Sequence, residues 1–363
     1  MGNILFNFLP GPVTIRKEVL KELSKLPVSH RLDSFVDDVS ELRSDLCEIV
    51  SANFCQIITG SGTLANDMIA CQLKLLKEHG LVLNNGEFGE RLVDHASRSQ
   101  LKFEEFSIPW GNSFNLNKIE NTLKKNPNIR WIWLTHCETS SGKITKLSAL
   151  KNICYKQKVK IILDCISTIG NMPVDLNNIY LASAVSGKGI GSFPGLALVF
   201  SSYQPTPDKH LPRNLDLGLY QDKKGIPFTI SSNLVYALKM AVNLMNPSDS
   251  LFETGEAARF LRKNVKEMGF EAIGDFDNSS SAITTIQLPK TLKSVDIGNK
   301  LKKSGFELSF NSEYLVKRNW IQICLMGNWS KTGVNSFPKA LKVICSSSTP
   351  VINNHANNDL TSN

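Results

Sequence analysis

The sequence predicts an α/β fold, with a mainly parallel sheet in a large domain followed by a smaller C-terminal α+β domain. The chain has 363 residues, of which 42% are hydrophobic and 20% charged, so it can bury a large core and fill two domains. Apolar runs typical of strands alternate with segments of helical periodicity, which indicates parallel strands joined by helices. From about residue 250 this alternation gives way to helix, strand, helix and strand, which predicts a separate unit.

The large domain is predicted from five apolar runs with helical segments between them. The runs are LVLN (81–84), WIWLT (131–135), KIILD (160–164), LASAVS (181–186) and LALVF (196–200). Leu64, Met68, Cys71 and Leu75 recur at spacings of four, three and four residues, which predicts an amphipathic helix. A second helix is predicted over residues 147–155.

The C-terminal domain is predicted from four shorter segments. They are a helix rich in Arg and Lys at 255–269, a strand at 282–288, a helix at 295–305 and a strand at 320–327. The residues after Cys345 lack apolar periodicity and are predicted to be disordered. The predicted division is an N-terminal segment, a large domain, a small domain and a tail, at 1–15, 16–248, 249–345 and 346–363.

Composition limits the classes of partner. The net charge is +8, but the lysines are spread along the whole chain, so we expect no nucleic-acid partner. This spread is typical of solvated helix faces, and the alternative is a general positive field that attracts anionic small molecules. The N-terminus lacks the apolar run of a signal peptide, and no window reaches the length of a membrane span, so we expect a cytoplasmic protein with no membrane partner. The eight cysteines lie singly, without metal-ligand spacing, which predicts reduced thiols and no metal site.

A glycine-rich turn in TGSGTLANDMIA (59–70) is a candidate phosphate site. Gly60, Ser61, Gly62 and Thr63 precede the predicted helix, so backbone N–H groups, hydroxyls and the positive helix end converge there. The same residues also fit an ordinary loop with a helix N-cap. A P-loop is excluded, because the chain contains no G-x-x-x-x-G-K-[ST] pattern.

Two further candidates stand at the ends of predicted strands. Asp164 lies at the carboxyl end of an apolar strand, where α/β sheets bind ligands, and fits either a turn residue or an acceptor for a buried cationic N–H. Lys188 lies in SGKGIGSFPG (186–195) and fits either a solvated turn or a partly desolvated amine. Desolvation would lower the pKa of that amine and make it a usable nucleophile.

Together these candidates meet three demands of one cofactor, pyridoxal phosphate (PLP). The cofactor needs a phosphate cradle, a carboxylate that keeps its pyridine nitrogen protonated, and a lysine that forms a Schiff base. The glycine-rich turn, Asp164 and Lys188 supply one group each. The sequence therefore predicts a PLP site.

The sequence also resembles the class V aminotransferases of PLP fold type I. The resemblance rests on segments in matching order and spacing: FLPGPVTI, TGSGTLANDMIA, NGEFGERL, THCETSSGKI, LDCISTIGNMPVDL, SGKGIGSFPGLALVF and LMGN. It covers about residues 5–345, and in look it is nearest to the 2-aminoethylphosphonate–pyruvate and serine/alanine–glyoxylate aminotransferases. It implies fold type I, with a large PLP-binding domain and the N-terminal segment at the active site.

The resemblance implies roles for individual residues. Lys188 falls on the Schiff-base lysine, which also moves the proton at the substrate carbon, and Asp164 falls on the partner of the pyridine nitrogen. The other implied cofactor contacts are Ser61, Gly62, Thr63, Ser186, the stacking ring of Phe88, and Thr139 near the phenolic oxygen. Thr229 and Ser231 match a segment that reaches the neighbouring subunit's cofactor phosphate, which implies a homodimer with shared active sites.

Two positions depart from the family pattern. Gly187 stands where relatives often carry glutamine or asparagine near the phosphate, so we expect one hydrogen bond fewer. Gln322 stands where relatives carry the arginine that forks onto the substrate carboxylate, and glutamine has no charged fork. Arg318 and Arg31 are the candidate replacements, and Gly11, Arg31 and Gln322 are the implied substrate-binding residues.

The leading hypothesis is a PLP-dependent aminotransferase that moves an amino group from a small donor, of amino acid or aminophosphonate type, to a 2-oxo acid or aldehyde. Gln322 motivates an alternative on the same fold, namely PLP-dependent lyase, decarboxylase or cyclase chemistry. A third hypothesis is a non-catalytic protein that binds nucleotides or phosphate through its glycine-rich turns. It gives no reason for the relation between Asp164 and Lys188.

Overall fold

The computed structural model describes residues 6–245 and 247–348, with the side chains of residues 247–250 excepted. The first five residues and residues 349–363, which make up most of the predicted tail, lie outside the described part. Within it, no helix is long and apolar enough to cross a membrane.

The strands fall into one large sheet and three small ones. In chain order they are β1 (Phe6–Asn7), β2 (Phe54–Thr59), β3 (His79–Asn84), β4 (Lys102–Ser107), β5 (Ile129–Thr135), β6 (Cys137–Glu138), β7 (Lys143–Ile144), β8 (Lys160–Asp164), β9 (Leu181–Val185), β10 (Leu196–Ser201), β11 (Glu271–Ala272), β12 (Ile283–Gln287), β13 (Phe306–Glu307) and β14 (Trp320–Cys324). The large sheet has the order β2-β10-β9-β8-β5-β3-β4, and only β10 runs antiparallel to its neighbours.

The helices pack on both faces of the large sheet and around the three-stranded sheet β11-β12-β14. They are α1 (Lys17–Leu23), α2 (Asp33–Val50), α3 (Gly62–Leu76), α4 (Glu87–Arg98), α5 (Leu116–Lys125), α6 (Leu147–Gln157), α7 (Leu217–Asp222), α8 (Ser232–Asn243), α9 (Pro247–Glu267), α10 (Ser294–Lys303), α11 (Glu313–Arg318) and α12 (Lys331–Ser346).

The strands of the large sheet other than β4 are largely buried on both faces, because helices cover both. Neighbouring residues alternate between two core clusters, so that Ile57 and Ile161 face one cluster while Ile58 and Ile162 face the other. A strand buried on both faces reads in sequence as an unbroken apolar run, since neither face needs polar residues. This explains why the five predicted runs are found as strands. The two edge strands, β2 and β4, were not predicted, and β4 (KFEEFS) is mostly exposed and forms no apolar run.

The C-terminal unit is built on the antiparallel sheet β11-β12-β14. Helices α9, α10 and α12 enclose a core of its own, which includes Leu261, Ile297 and Phe337. The N-terminal strand β1 pairs with β13 and brings Phe8 into the same core. The predicted division between residues 248 and 249 falls in the first turn of α9.

The two units meet beside the carboxyl ends of the parallel strands. A small cluster of buried residues joins them there, with Val13, Cys137, Ile283 and Cys324 among its members. Thr14 and Gly327 form an isolated β-bridge on the N-terminal side of this junction. Residues from both units therefore border the edge of the large sheet where ligands bind in α/β proteins.

Candidate active site

A cavity of about 360 Å³ lies at the carboxyl ends of β5, β8 and β9. Its lining comes from the N-terminal segment, α3, α4 and the loops that follow the parallel strands. The lining residues are Gly11, Pro12, Gly62, Thr63, Asn66, Phe88, Arg91, His95, Cys137, Thr139, Asp164, Ile166, Ser167, Val185, Gly187, Lys188 and Pro194. Six residues predicted to contact the cofactor are among them, although they are up to 126 positions apart, from Gly62 to Lys188.

Lys188 lies in the glycine-rich loop that follows β9, and its amine faces the cavity. The Nζ atom donates a hydrogen bond to Ser167 Oγ at 3.0 Å and lies 5.4 Å from the centroid of the Phe88 ring. Burial lowers the pKa of Lys188, and the charge of Asp164 opposes this effect. A lysine with a lowered pKa is neutral, and so nucleophilic, over more of the working pH range.

Asp164 ends β8 and is almost fully buried. Its Oδ2 accepts a hydrogen bond from Asn66 Nδ2 and its Oδ1 accepts one from the backbone N–H of Ile166, both at 2.9 Å. Burial raises the pKa of Asp164, while the bond from Asn66, the bond from Ile166 and the charge of Lys188 lower it. A buried carboxylate needs a cationic or N–H partner, and a protonated ring nitrogen in the cavity would supply one.

The glycine-rich turn forms the N-terminus of α3. The helix begins at Gly62, and the N-cap residue Ser61 makes no side-chain capping bond, so its hydroxyl stays available. The first N–H groups of a helix have no partner within it and carry a partial positive charge. A Cβ at position 62 would come within 2.6 Å of Ile166 Cδ1, so glycine lets the cavity wall close there.

Phe88 opens α4 and is held in place by a buried carboxylate. Glu138 accepts bonds from the backbone N–H groups of Phe88 at 3.1 Å and of Gly89 at 3.0 Å. The same carboxylate accepts bonds from the backbone and the hydroxyl of Ser140 at 3.0 and 2.6 Å. Desolvation raises the pKa of Glu138, which these four donors oppose. Glu138 thus fixes the start of α4 to the loop that carries Thr139.

Thr139 and Ser167 form a buried pair of hydroxyls beside Lys188. Their oxygens are 2.5 Å apart, and each side chain is 3% exposed. The backbone oxygen of Thr139 accepts a bond from Gln322 Nε2 at 2.7 Å. The pair faces the cavity, where the phenolic oxygen of the predicted cofactor would need a donor.

The groups present fit PLP. A ring can stack on Phe88, its nitrogen can pair with Asp164, its phosphate can bind the N-terminus of α3, and Lys188 can form the covalent bond. Gly62 and Thr63, at the N-terminus of α3, both line the cavity. No group of three or more His, Cys, Asp or Glu residues that could hold a metal ion occurs in the described part of the chain.

The predicted cofactor contact Ser186 lies behind the cavity wall. Ser186 is fully buried and does not line the cavity. Its hydroxyl donates to the backbone oxygen of Phe193 at 2.6 Å, so it closes the base of the Lys188 loop. The hydroxyl is therefore already bonded to the loop backbone, and its predicted polar contact with the cofactor stays a prediction.

The three predicted substrate-binding residues lie in different places relative to the cavity. Gly11 lines the cavity, and a Cβ there would lie 3.6 Å from Lys188 Cγ. Arg31 is exposed on the loop between α1 and α2 and does not line the cavity of its own chain. Gln322 is 0% exposed and does not line the cavity either, because its amide is buried against the Thr139 loop. Arg318, the other candidate, lies over the Trp110 ring, 3.3 Å from its centroid.

Thr229 and Ser231 lie outside the cavity. Both are exposed, and the Ser231 hydroxyl caps α8 by accepting a bond from the backbone N–H of Leu234 at 3.3 Å. Their predicted contact is with the cofactor of a second subunit, so this prediction stays open.

The glycine at position 187, where the family pattern often has glutamine or asparagine, has a steric reason. A Cβ at this position would lie 2.8 Å from Pro194 Cα and 2.9 Å from Pro194 N. A glutamine there would need the loop to move, because both contacts are with backbone. The fold of SGKGIGSFPG and the glycine before the lysine therefore depend on each other.

Sequence reasoning missed four residues at the site: Asn66, Arg91, Glu138 and Ser167. Asn66 lies on the opposite face of the predicted helix from Leu64, Met68, Cys71 and Leu75, so the periodicity gave no reason to expect that it is buried against Asp164. Glu138 and Ser167 lie in the motifs THCETSSGKI and LDCISTIGNMPVDL, in which the resemblance implied roles only for Thr139 and Asp164. Arg91 was part of the motif NGEFGERL, of which only the phenylalanine was used.

A family model described as "Aminotransferase class-V" matches residues 15–206, more than half of the chain. The soluble hydrogenase 42 kDa subunit of Anabaena cylindrica is 28% identical, over 80% of each chain. The 2-aminoethylphosphonate–pyruvate transaminase of Lysinibacillus sphaericus is 24% identical, over 82% of this chain and 86% of the relative.

A solved structure, alanine–glyoxylate aminotransferase from Nostoc sp., matches with a TM-score of 0.85 and 24% identity, over 95% of this chain and 96% of the other. At that identity the likeness shows the fold, which is PLP fold type I. With the cavity, the lysine and the family match taken together, the chain belongs to the class V aminotransferase family of PLP-dependent enzymes.

Proposed function

We propose that this aminotransferase takes the amino group of a small amino acid or aminophosphonate and delivers it to a 2-oxo acid or aldehyde, with Lys188 and Asp164 as its catalytic residues. The observation that carries the proposal is the convergence of Lys188, Asp164 and Phe88 on one cavity. The donor and acceptor classes are supported by the name of the Lysinibacillus sphaericus relative, a 2-aminoethylphosphonate–pyruvate transaminase.

Each residue contributes one physical effect to that reaction. When bound, the cofactor would supply a carbonyl group and an electron-withdrawing ring. Lys188 would hold the carbonyl carbon covalently through Nζ, and its free amine would take and return a proton at the substrate carbon. Asp164 holds a positive charge on the ring nitrogen, and Phe88 excludes water from one face of the ring.

Arg91 is our candidate for the residue that binds the acidic group of the substrate. Of the arginines in the described residues, it alone lines the cavity. Its guanidinium lies 4.7 Å from the Phe88 ring centroid and pairs with Glu87, one turn earlier on α4, at 2.9 Å. A second anion can bind the guanidinium fork because it has five N–H donors.

The proposal includes a homodimer in which Thr229 and Ser231 reach the partner's cofactor phosphate. Support comes from their exposure and from apolar side chains exposed around α1, where Leu20 is 54% and Leu26 is 90% exposed. Light scattering should give twice the chain mass, and a monomer that is fully active would contradict it. The domain division at residue 249, the cytoplasmic location and the absence of a nucleic-acid partner stay predictions.

The lyase, decarboxylase and cyclase alternative is not part of the proposal. Its motive was Gln322 as an altered substrate contact, but Gln322 is buried away from the cavity. Nothing in the family match or the named relatives favours it.

A screen of amino donors tests the proposed function. The purified protein, loaded with PLP, is mixed separately with alanine, serine, 2-aminoethylphosphonate and an amine without an acidic group, and the visible absorbance of the bound cofactor is followed. We expect at least one acidic donor to remove this absorbance, and pyruvate or glyoxylate to restore it. If every donor that reacts leaves the cofactor in its original form while the donor is consumed, the proposed function is wrong.

A further inference from the structure

A chain of buried hydrogen bonds connects Lys188 to the C-terminal unit. Lys188 Nζ donates to Ser167 Oγ at 3.0 Å, and Ser167 Oγ lies 2.5 Å from Thr139 Oγ1. The backbone oxygen of Thr139 accepts from Gln322 Nε2 at 2.7 Å. Three consecutive contacts therefore lead from the reactive amine to strand β14.

The side-chain amide of Gln322 uses its N–H donors within this chain of hydrogen bonds. Its Nε2 also lies 3.2 Å from the backbone oxygen of Ser140 and 2.8 Å from Thr285 Oγ1. An amide nitrogen has two hydrogens, so three acceptors already exceed its capacity. Thr285 Oγ1 in turn donates to the backbone oxygen of Ser140 at 3.1 Å. The loop at residues 139–140 is thus clamped by β12 and β14.

Because Lys188 is buried, the group that accepts a hydrogen bond from its amine affects how readily the amine is protonated. Burial lowers the pKa of Lys188, as does the charge of Arg91, while Asp164, Cys324 and Cys137 raise it. Ser167 is the hydroxyl within hydrogen-bond distance of Nζ. An oxygen that accepts from the ammonium stabilises the charged form, and in a buried site this bond is worth more than in water.

We propose that Ser167 holds the free Lys188 amine and stabilises its protonated form, and that Gln322 is a positioning residue that acts on Lys188 through Thr139 and Ser167. Position 322, where relatives carry an arginine for the substrate, then serves the lysine instead. The inference rests on the proposed function, in which the displaced amine of Lys188 takes and returns a proton.

The test measures the titration of Lys188 in the full-length protein freed of PLP. An amine-selective reagent is added over a range of pH, and the labelled fraction of the peptide that contains Lys188 is measured by mass spectrometry. Only the neutral amine reacts, so the midpoint of the rate against pH reports the proton affinity of Lys188. This readout does not depend on catalysis.

We expect Ser167→Ala to move the midpoint down by about one pH unit, because the protonated amine loses its hydrogen-bond acceptor. Below the midpoint, this shift corresponds to an increase of about tenfold in the labelling rate. Ser192→Ala is the matched control: Ser192 is four residues from Lys188, 1% exposed, and its hydroxyl has no hydrogen-bond partner. It should leave the midpoint unchanged. A Ser167→Ala midpoint equal to that of the unaltered protein overturns the role of Ser167.

A double-mutant cycle tests Gln322. We expect Gln322→Met to move the midpoint in the same direction by a smaller amount, and to add nothing in the Ser167→Ala background. Additive shifts would overturn the positioning role. So would a Gln322→Met protein with an unchanged midpoint and a raised KM for acidic donors only, since that pattern belongs to a substrate contact. If Gln322→Met does not fold, Thr139→Val removes the hydroxyl that is bonded to Ser167 Oγ. It should move the midpoint in the same direction by a smaller amount, because Ser167 still accepts from Lys188. An unchanged midpoint would contradict the chain of contacts.

These outcomes separate the inference from the proposed function. If Ser167→Ala shifts the midpoint but the donor screen finds no amino transfer, the proposed function fails and the contact stands. If the screen succeeds and the midpoint does not move, only the inference fails.

Discussion

The large domain and the C-terminal unit match the predicted site to different degrees. In the large domain, Lys188, Asp164 and Phe88 converge on the cavity as predicted from the resemblance. In the C-terminal unit, Gln322 stands at the position where the resemblance implies an arginine, and it is buried and bonded to the loop of the large domain. The residues predicted to act on the amino group therefore line the cavity, whereas the residue at the predicted acid-binding position does not.

This difference teaches that the two sets of predicted residues are positioned by different parts of the molecule. Asp164 ends β8 and Lys188 follows the adjacent β9, so the sheet itself sets their separation. The predicted acid contact at position 322 lies on β14, and its burial against the Thr139 loop leaves Asp164 and Lys188 at the cavity. Predictions for the two sets can therefore be made independently.

Removal of the lysine should have the largest effect. Lys188→Ala removes the covalent contact and the base, and we expect amino transfer to fall by about a thousandfold or more, with loss of the visible absorbance of bound PLP. Lys188→Arg keeps the charge but not the nucleophile, so it should be equally inactive. A Lys188→Ala protein within tenfold of the original rate would mean that the large-sheet side does not carry the chemistry.

Arg91, on α4 of the large domain, tests the proposed contact with the acidic group of the substrate. We expect Arg91→Gln to lower kcat/KM for an acidic donor by about tenfold, because one charge-assisted contact is lost, while PLP affinity changes little. Arg91→Lys keeps the charge without the fork and should fall between the two. The measurement is the rate of cofactor conversion against donor concentration. An equal loss of PLP affinity would assign Arg91 to the cofactor phosphate instead.

The smallest effect is expected where the two units are tied by charge. Lys143, 4% exposed, pairs with Asp275 at 2.6 Å, and this bond lowers the pKa of Asp275 to about 2. A depressed carboxyl pKa stabilises the fold above the ordinary value of about 4, and that stability is lost as the pH falls toward 2.

Asp275→Asn should therefore lower the free energy of unfolding at pH 7 by only about 0.5–1 kcal/mol, since Asp275 is 54% exposed and the pair is screened. Urea unfolding at several pH values measures it. The difference from the unaltered protein should shrink between pH 4 and pH 2. A difference that grows in that range would contradict the ion pair as its cause.

The sequence predicted five of the seven strands of the large sheet, because these strands are buried on both faces and read as apolar runs. It also predicted that Lys188, Asp164 and Phe88 lie together, since each lies in a motif next to such a strand. The edge strands β2 and β4 were not predicted, and the mostly exposed β4 contains too few apolar residues to form such a run. The roles of Ser186 and Gln322 were not predictable, because each depends on which way a side chain points within a tertiary contact.

The most direct test follows the nitrogen atom. The PLP-loaded protein is given an acidic amino donor that carries a heavy isotope of nitrogen, together with an oxo acceptor, and the products are weighed by mass spectrometry. The account predicts the heavy nitrogen in the amine formed from the acceptor, with the donor carbon skeleton released as an oxo compound. Heavy ammonia, with an acceptor that stays unlabelled, would contradict it.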